Sequence, residues 1–229
     1  MNEAAKNGRQ ALAIELAAVT GGVLFLAHAL YLARGVAIVG KALPTIVAVL
    51  LIYAPVAALW FRGRPVDFLD SGWRRYLRSL IVFLVASAVV FPLFLLAAHG
   101  WQRFVLGMGE FHAAGMPQLF TTVAYQLILV ALPEEFFFRG YFQSTMNRIF
   151  PRPWRFLGAN LGWGFVVTAA IFAFAHSVIF YRWWHFSIFF PALVFGYLRE
   201  RTGSITAPVL FHAASNLLMD WIVRSHVAG

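Results

Sequence analysis

The sequence predicts an all-α, polytopic bundle of about seven transmembrane helices. Hydrophobic residues make up 61% of the 229 residues, whereas charged residues make up only 12%, and the mean hydropathy is +0.75. A soluble domain carries about 25% charged residues, because it needs them to cover its surface. The second observation is that apolar runs of about 20 residues, the length that crosses a bilayer as a helix, recur along the chain. Together these observations exclude a disordered chain and a soluble globule.

Seven apolar segments predict the individual spans. The first contains Glu15 near its start and His28 near its end, whereas the second and third carry no charge at all. The fourth continues through a charged cluster, and the last two are short and aromatic, so six to eight spans are compatible with the sequence. In chain order the predicted spans are 11–33, 42–61, 79–98, 118–148, 156–180, 183–198 and 204–223.

The segment between the third and fourth spans differs from the other connections. Residues 100–117 mix aromatic and charged side chains, which predicts an interfacial helix or a loop on the outer surface. Neither an internal repeat nor a soluble domain is visible, so residues 1–229 are predicted to form a single membrane-embedded domain. Within it, residues 1–117 supply N-terminal transmembrane helices and this interfacial segment, and the chemistry-bearing motifs fall within 118–224.

The basic residues predict the orientation and exclude a nucleic-acid partner. The net charge is +9, but the positive side chains lie in short gaps between apolar runs, as they do in membrane loops. With the N-terminus inside, twelve Lys and Arg residues fall on the inner side and five on the outer side. This bias agrees with the positive-inside rule, and seven spans would place the C-terminus outside. The chain has no cysteine, so disulfides and thiolate metal sites are excluded.

The first polar cluster within a span is the segment Pro133–Gly140. Ionisable side chains in the membrane interior are costly and normally mark functional sites. Glu135 and Arg139 are four residues apart, so they share a helix face and are expected to form an ion pair. Glu134 points about 100° away and has no local partner. A carboxylate of this kind, in apolar surroundings, suits the role of a general base, although a purely helix-anchoring ion pair is the simpler alternative.

Two further clusters place histidines in later spans. His176 closes an apolar run, and a single intramembrane histidine is often only a hydrogen-bonded core residue. His212 and Asn216 are four residues apart and share a face, which also fits an interhelical polar clamp. Glu134 and His176 each lie 21 residues from a turn centred near Arg155, so antiparallel helices would place them at a similar depth. His212 is nearer to its own turn and is expected somewhat closer to the inner face.

These clusters, in this order on separate apolar helices, resemble the CAAX protease and bacteriocin-processing family, which includes Rce1-like proteins. That family of glutamic-type intramembrane endopeptidases has three motifs, Glu-Glu-x-x-x-Arg, Phe-x-x-x-His and His-x-x-x-Asn. In this chain they are Glu134-Glu135-x-x-x-Arg139, Phe172-x-x-x-His176 and His212-x-x-x-Asn216. Each motif alone is weak, but all three in order, with matching flanks, make the resemblance specific over residues 118–224.

The resemblance implies a role for each motif residue. In this family the first glutamate and the histidine of the second motif activate a water for attack on a peptide carbonyl, which here would be Glu134 and His176. The third motif implies that His212 and Asn216 stabilise the oxyanion. The remaining motif residues, Glu135, Arg139 and Phe172, would then support the site.

Metal dependence is left open by the residues themselves. Glu134, His176 and His212 are a plausible zinc set of two histidines and one carboxylate, and zinc proteases use such sets. No His-Glu-x-x-His motif is present. We therefore expect metal-free hydrolysis without a cofactor, with zinc at these three residues as the alternative.

Two other functions fit the same pattern. A non-proteolytic immunity factor or scaffold would bind a peptide in the same cavity, and a small transporter would use the intramembrane Glu and His as an ion pathway. The transporter is less favoured, because paired interrupted helices are absent. For a protease, the expected partners are the lipid bilayer and a membrane-associated protein or peptide, lipidated or with an apolar C-terminal tail. We expect an integral protein of a bacterial or archaeal inner membrane; the identity of the substrate is not predicted.

Overall fold

The protein is an all-α helical bundle, as the sequence predicts. The structure is a computed structural model that describes residues 3–181 and 183–226. Seven helices occupy these ranges, and two short strands form an antiparallel hairpin between the fourth and fifth helices. The helices are α1 (Glu3–Leu32), α2 (Ala37–Phe61), α3 (Trp73–Gly100), α4 (Leu119–Ile149), α5 (Trp163–Phe180), α6 (Phe189–Thr202) and α7 (Thr206–Arg224). The strands are β1 (Trp154–Phe156) and β2 (Ala159–Leu161).

The outer surface of the bundle is apolar, as a surface that faces lipid must be. Helices α1 to α4 are each long and apolar enough to cross a membrane, and α5 is apolar but shorter. Large hydrophobic side chains point away from the protein on these helices, for example Phe25, Ile38 and Leu93. The protein is therefore an integral membrane protein. The number of spans and their orientation stay predictions, since α6 and α7 fall below the length and hydropathy that the first four helices reach.

The starts of the fifth and sixth helices differ from the sequence-based expectation. The fifth helix begins at Trp163 rather than near 156, because the hairpin takes up the residues before it. The hairpin turn needs positive φ at Leu157 and Gly158, a conformation that a helix cannot include. The sixth helix begins at Phe189, after a 3₁₀ turn at Trp183–Ile188. Residues 100–117 are a π-helical turn followed by a loop, so the loop alternative is the correct one.

One end of the bundle, which we call the basic end, is closed by the connection between α2 and α3. Phe68 in this connection is 1% exposed, and its ring packs edge-on against Phe136 of α4 with the centroids 5.0 Å apart. The carbonyl of Phe68 accepts a hydrogen bond of 3.0 Å from the N–H of Ile205 in the α6–α7 turn. The α2–α3 connection therefore covers that turn and buries it inside the bundle.

Glu15 of α1 joins the first helix to the same end. Its carboxylate accepts hydrogen bonds from Arg62 Nε at 2.8 Å, from Arg64, and from the Tyr141 hydroxyl at 3.0 Å. Arg62 and Arg64 follow α2 and Tyr141 belongs to α4, so one carboxylate connects three parts of the fold. The charge that interrupts the first predicted span is thus neutralised at the basic end.

The contact between Phe68 and α4 depends on Gly140 and gives a test of the packing. A Cβ at Gly140 would lie within 3 Å of the buried Phe68 ring, whereas a Cβ at Gly21 of α1 would meet nothing within 4 Å. We expect Gly140→Ala to destabilise the protein by about 1–3 kcal/mol through overpacking. Gly21→Ala, the matched control, should be neutral or slightly stabilising because alanine favours helix. Thermal unfolding in detergent measures both, and equal melting temperatures for the two variants would contradict the packing described.

Candidate active site

The centre of the site lies on an irregular part of α4. The helix is π-helical over Gln126–Ala131 and Phe136–Gln143, and only Leu132–Glu135 between them is α-helical. Pro133 has no N–H to donate to the preceding turn, so regular α-helical hydrogen bonding is interrupted there. Single π-helical turns occur often at functional sites, because they re-aim side chains without ending the helix. Here they flank the two adjacent glutamates.

Glu135 and Arg139 form the buried ion pair that their spacing predicts. Arg139 Nη1 donates to Glu135 Oε1 at 3.2 Å, and both side chains are 0% exposed. Arg139 Nη2 also donates to the carbonyl of Ala192 in α6, at 3.0 Å. The guanidinium carbon lies 4.4 Å from the ring centroid of Phe172 and 5.0 Å from that of Phe195. The pair therefore connects α4 to both α5 and α6.

His212 of α7 completes this buried network. Its Nδ1 lies 2.9 Å from Glu135 Oε1, and a carboxylate can only accept, so Nδ1–H is the donor. The imidazole stacks on the Phe195 ring with centroids 4.8 Å apart and an angle of 15° between planes. These two contacts fix the ring so that Nε2 faces Glu134, 3.9 Å from its Oε2.

Glu134 lies in a different environment from its neighbour. Its side chain is 19% exposed and that of His176 is 21% exposed, so both can be reached from outside the protein, unlike Glu135. Glu134 Oε2 has no hydrogen-bond partner among the residues that the structure describes, and it lies 3.6 Å from His176 Nε2. That separation is too long for a direct hydrogen bond, and Glu134 Oε2 is itself buried although the side chain as a whole is partly exposed.

The His176 ring is oriented by its own helix. Its Nδ1 lies 2.9 Å from the carbonyl of Phe172, which can only accept, so Nδ1 carries the proton in this contact. The other ring nitrogen, Nε2, faces Glu134. Phe172, a predicted supporting residue, is 1% exposed and packs against His176 with centroids 4.5 Å apart. Phe172 thus lies between the Glu134–His176 pair and the buried Arg139.

Asn216 is held by a residue of α4 that the sequence motifs do not include. Its Nδ2 donates to Gln126 Oε1 at 2.9 Å. Ser215, beside it, donates instead to the carbonyl of Phe211 at 2.7 Å and is engaged within its own helix. Asn216 therefore remains one turn from His212 on the same face, as its spacing predicts.

The structure agrees with the depth expected for Glu134 and His176 but not with the depth expected for His212. Glu134 and His176 are in near contact, in agreement with their equal distance from the α4–α5 connection. The sequence predicts His212 somewhat nearer the inner face unless its helix is tilted or starts late, and its Nε2 in fact lies only 3.9 Å from Glu134 Oε2, at a similar depth. The physical reason is the buried α6–α7 turn, where Ser204 and Ile205 are 2% and 1% exposed. This turn lies deeper than the hairpin that joins α4 to α5, so His212 needs fewer residues to reach the same depth.

Three contributors to the site lie outside the sequence motifs, namely Gln126, Ala192 and Phe195. Ala192 and Phe195 are apolar residues of an apolar helix, and nothing in the sequence distinguishes them from ordinary core residues. Gln126 carries a usable signal, since it is a polar side chain within a predicted span, eight residues before Glu134.

The three candidate zinc ligands, Glu134, His176 and His212, lie close together but slightly farther apart than the ligands of a bound zinc. Ligands of a tetrahedral zinc lie about 3.4 Å apart, given metal–ligand bonds of about 2.0–2.2 Å. Glu134 Oε2 lies 3.6 Å and 3.9 Å from the two histidine Nε2 atoms, slightly wider than this. Across residues 3–181 and 183–226, no group of three or more His, Asp or Glu side chains meets the criteria for a metal site. Zinc at Glu134, His176 and His212 therefore stays an untested alternative.

Comparison with known proteins was made at the levels of family, sequence and structure. Residues 116–218 match the family described as type II CAAX prenyl endopeptidase Rce1-like. Over these residues the chain is similar to the Rce1-like family. The Rce1-like region begins just before α4, ends within α7, and contains all three motifs. No curated protein and no solved structure matches the chain. Helices α1 to α3 lie outside the Rce1-like region and pack around it.

The different environments of Glu134 and Glu135 can be tested by measuring how substitutions change the stability of the protein. We expect Arg139→Met to lower the free energy of unfolding by about 3–5 kcal/mol, because it leaves Glu135 buried without its guanidinium. Glu134→Gln should change stability little, since Glu134 Oε2 makes no hydrogen bond in the described part of the chain. Thermal unfolding of both variants in detergent provides the measurement. A Glu134→Gln variant as unstable as Arg139→Met would contradict the assignment of Glu135 to the buried network.

Proposed function

We propose that this protein is a glutamic-type intramembrane endopeptidase that hydrolyses a peptide bond of a membrane-associated protein or peptide. The match of residues 116–218 to the Rce1-like family supports CAAX protease activity in general. The observation that carries the specific proposal is the pair formed by Glu134 Oε2 and His176 Nε2, 3.6 Å apart, on two side chains that are each about one-fifth exposed. The buried Glu135–Arg139–His212 network lies next to that pair and holds together the helices around it.

Glu134 and His176 would activate the attacking water. A water between them donates one hydrogen to the carboxylate and the other to the lone pair of Nε2, which turns an oxygen lone pair towards the substrate carbonyl. Glu134 then takes a proton as the oxygen attacks, and general-base catalysis of this kind contributes about 10²–10⁴-fold. The same carboxyl group can return that proton to the leaving amine, so no covalent intermediate is needed.

His212 and Asn216 would stabilise the oxyanion, with a condition on His212. Because Nδ1–H already donates to Glu135, Nε2 can donate only when the imidazole is protonated. The site contains two carboxylates and one guanidinium, so a protonated His212 makes this group of charges neutral. Donors fixed before the reaction cost no reorganisation when the negative charge develops.

The substrate would have to reach a peptide bond deep in the bundle. Glu134 is 15 residues from either end of α4, about 22 Å along the helix axis at 1.5 Å per residue. A substrate delivered by a lipid or by an apolar C-terminal tail approaches from the bilayer and satisfies this requirement. We therefore favour C-terminal or lipid-proximal cleavage, in a bacterial or archaeal inner membrane.

The role of Glu134 as the general base can be tested by replacing it with glutamine, which is uncharged and of similar size. We expect Glu134→Gln to lower cleavage of a prenylated CAAX peptide in proteoliposomes by at least about 10²-fold, because glutamine cannot accept the proton. Mass spectrometry of the peptide products gives the rate. Glu110→Gln, at an exposed glutamate of the loop between α3 and α4, is the matched control and should cleave at the wild-type rate. Full activity of Glu134→Gln contradicts the proposal, and a wild-type protein that binds the peptide without cleaving it favours the scaffold alternative.

Metal dependence has a separate test, since three site atoms converge on one region. We expect purified protein, dialysed against a strong chelator, to retain its full cleavage rate and to contain no stoichiometric zinc by elemental analysis. Loss of one zinc per chain together with activity, and recovery of both on adding zinc, would establish the zinc alternative with Glu134, His176 and His212 as ligands.

A further inference from the structure

The hydrogen bond between Gln126 and Asn216 joins two helices next to the reaction site. Gln126 lies in the first π-helical turn of α4, and Asn216 lies one turn beyond His212 in α7. Both side chains are partly buried, and Asn216 Nδ2 lies 2.9 Å from Gln126 Oε1. In a membrane interior, such a contact fixes the direction of an amide that would otherwise rotate.

The direction of the Asn216 amide decides whether it can stabilise negative charge. An asparagine amide carries two N–H donors on Nδ2 and an acceptor on Oδ1. Gln126 Oε1 occupies one of the two N–H groups, which leaves the second available to another acceptor. Rotating the amide by 180° would exchange Nδ2 and Oδ1, and Oδ1 would repel an oxyanion. With the Gln126 amide oriented as it is in this structure, its acceptor pairs with the orientation in which Asn216 can donate.

The contact is not needed to hold α7 in place. On one side of Asn216, α7 is attached to α4 through His212 and Glu135, whose contact is 2.9 Å long. On the other side, Trp221 Nε1 donates to the carbonyl of Ala114 in the α3–α4 loop, at 3.1 Å. With the helix fixed on both sides of residue 216, the amide–amide contact affects the side chain of Asn216 more than the backbone of α7.

We propose that Gln126 is a positioning residue, which orients the Asn216 amide so that one N–H of Nδ2 points at the developing oxyanion. The proposal rests on the proposed endopeptidase function. It extends the oxyanion site from α7 to the first π-helical turn of α4, two turns before the glutamate that activates water. It also gives that π-helical turn a function.

The test is a double-mutant cycle on cleavage of a prenylated CAAX peptide in proteoliposomes. Gln126→Met keeps the length of the side chain and removes the acceptor. We expect it to lower kcat about 10- to 100-fold, a typical effect of misorienting a catalytic group, with KM changed less than twofold. Asn216→Ala should lower kcat about 10²–10³-fold, as loss of one oxyanion donor does. In the Asn216→Ala background, Gln126→Met should cause no further loss.

Thr122→Val is the matched control. Thr122 lies one turn before Gln126 on the same helix and donates only to the carbonyl of Gln118. The substitution also replaces a polar side chain by an apolar one of similar size, and we expect kcat to be unchanged. Equal losses in Thr122→Val and Gln126→Met would show a general effect on α4 and overturn the proposal.

The results of the double-mutant cycle distinguish a failure of the oxyanion role of Asn216 from a failure of the positioning role of Gln126. If Asn216→Ala cleaves at the wild-type rate, the oxyanion role in the proposed function fails. If Asn216→Ala is slow but Gln126→Met is not, or if the two losses multiply in the double variant, the positioning role of Gln126 fails alone.

A measurement on the unaltered chain covers the case in which Gln126→Met does not fold. In protein labelled with 15N in the asparagine side chains and placed in bicelles, the Asn216 side-chain amide, assigned by its loss in Asn216→Ala, should show the nitrogen relaxation of an ordered group. Relaxation typical of a rapidly moving side chain would show a freely rotating amide and overturn the proposal.

Discussion

The site depends on the burial of one carboxylate, Glu135, which must be balanced inside the bundle. A fully buried carboxylate is tolerated only with partners that compensate its charge and fill its hydrogen bonds. Arg139 and His212 both donate to the same oxygen, Oε1, from helices α4 and α7. Arg139 in turn reaches the backbone of α6, and its guanidinium packs against Phe172 of α5. Groups from all four helices therefore meet around Oε1 and fix the helices relative to one another at the depth of the site, whereas Glu135 Oε2 has no hydrogen-bond partner in the described part of the chain.

Two adjacent residues of the same type therefore have different environments. Glu135 is sealed in the network, whereas Glu134 faces the accessible side and lies close to two imidazoles. The helices outside the Rce1-like region contribute by closing the basic end. Phe68 packs on Phe136 one residue after Glu135, and Glu15 binds Tyr141 two residues after Arg139. The polar core is thereby separated from water at the basic end while Glu134 stays accessible.

The sequence predicts the parts of this arrangement that depend on spacing along one helix. The Glu135–Arg139 pair and the shared face of His212 and Asn216 follow from i, i+4 geometry. The helical class follows from hydropathy, but the start of α5 and the depth of His212 do not. They depend on a hairpin and on a turn buried under Phe68, which are tertiary features. Phe195 and Ala192 are invisible in the sequence, because their roles arise only when α6 packs against Arg139.

The central claim is that the buried network presents an accessible base on one side of a bound carbonyl and oxyanion donors on the other. The most direct measurement is an experimental structure with a prenylated peptide aldehyde, whose hydrate mimics the tetrahedral intermediate. The account predicts one hydroxyl of the hydrate within hydrogen-bond distance of Glu134 and His176, and the other near His212 Nε2 and Asn216 Nδ2. An aldehyde carbon bonded to a protein side chain, or a hydrate bound away from Glu134, would contradict it.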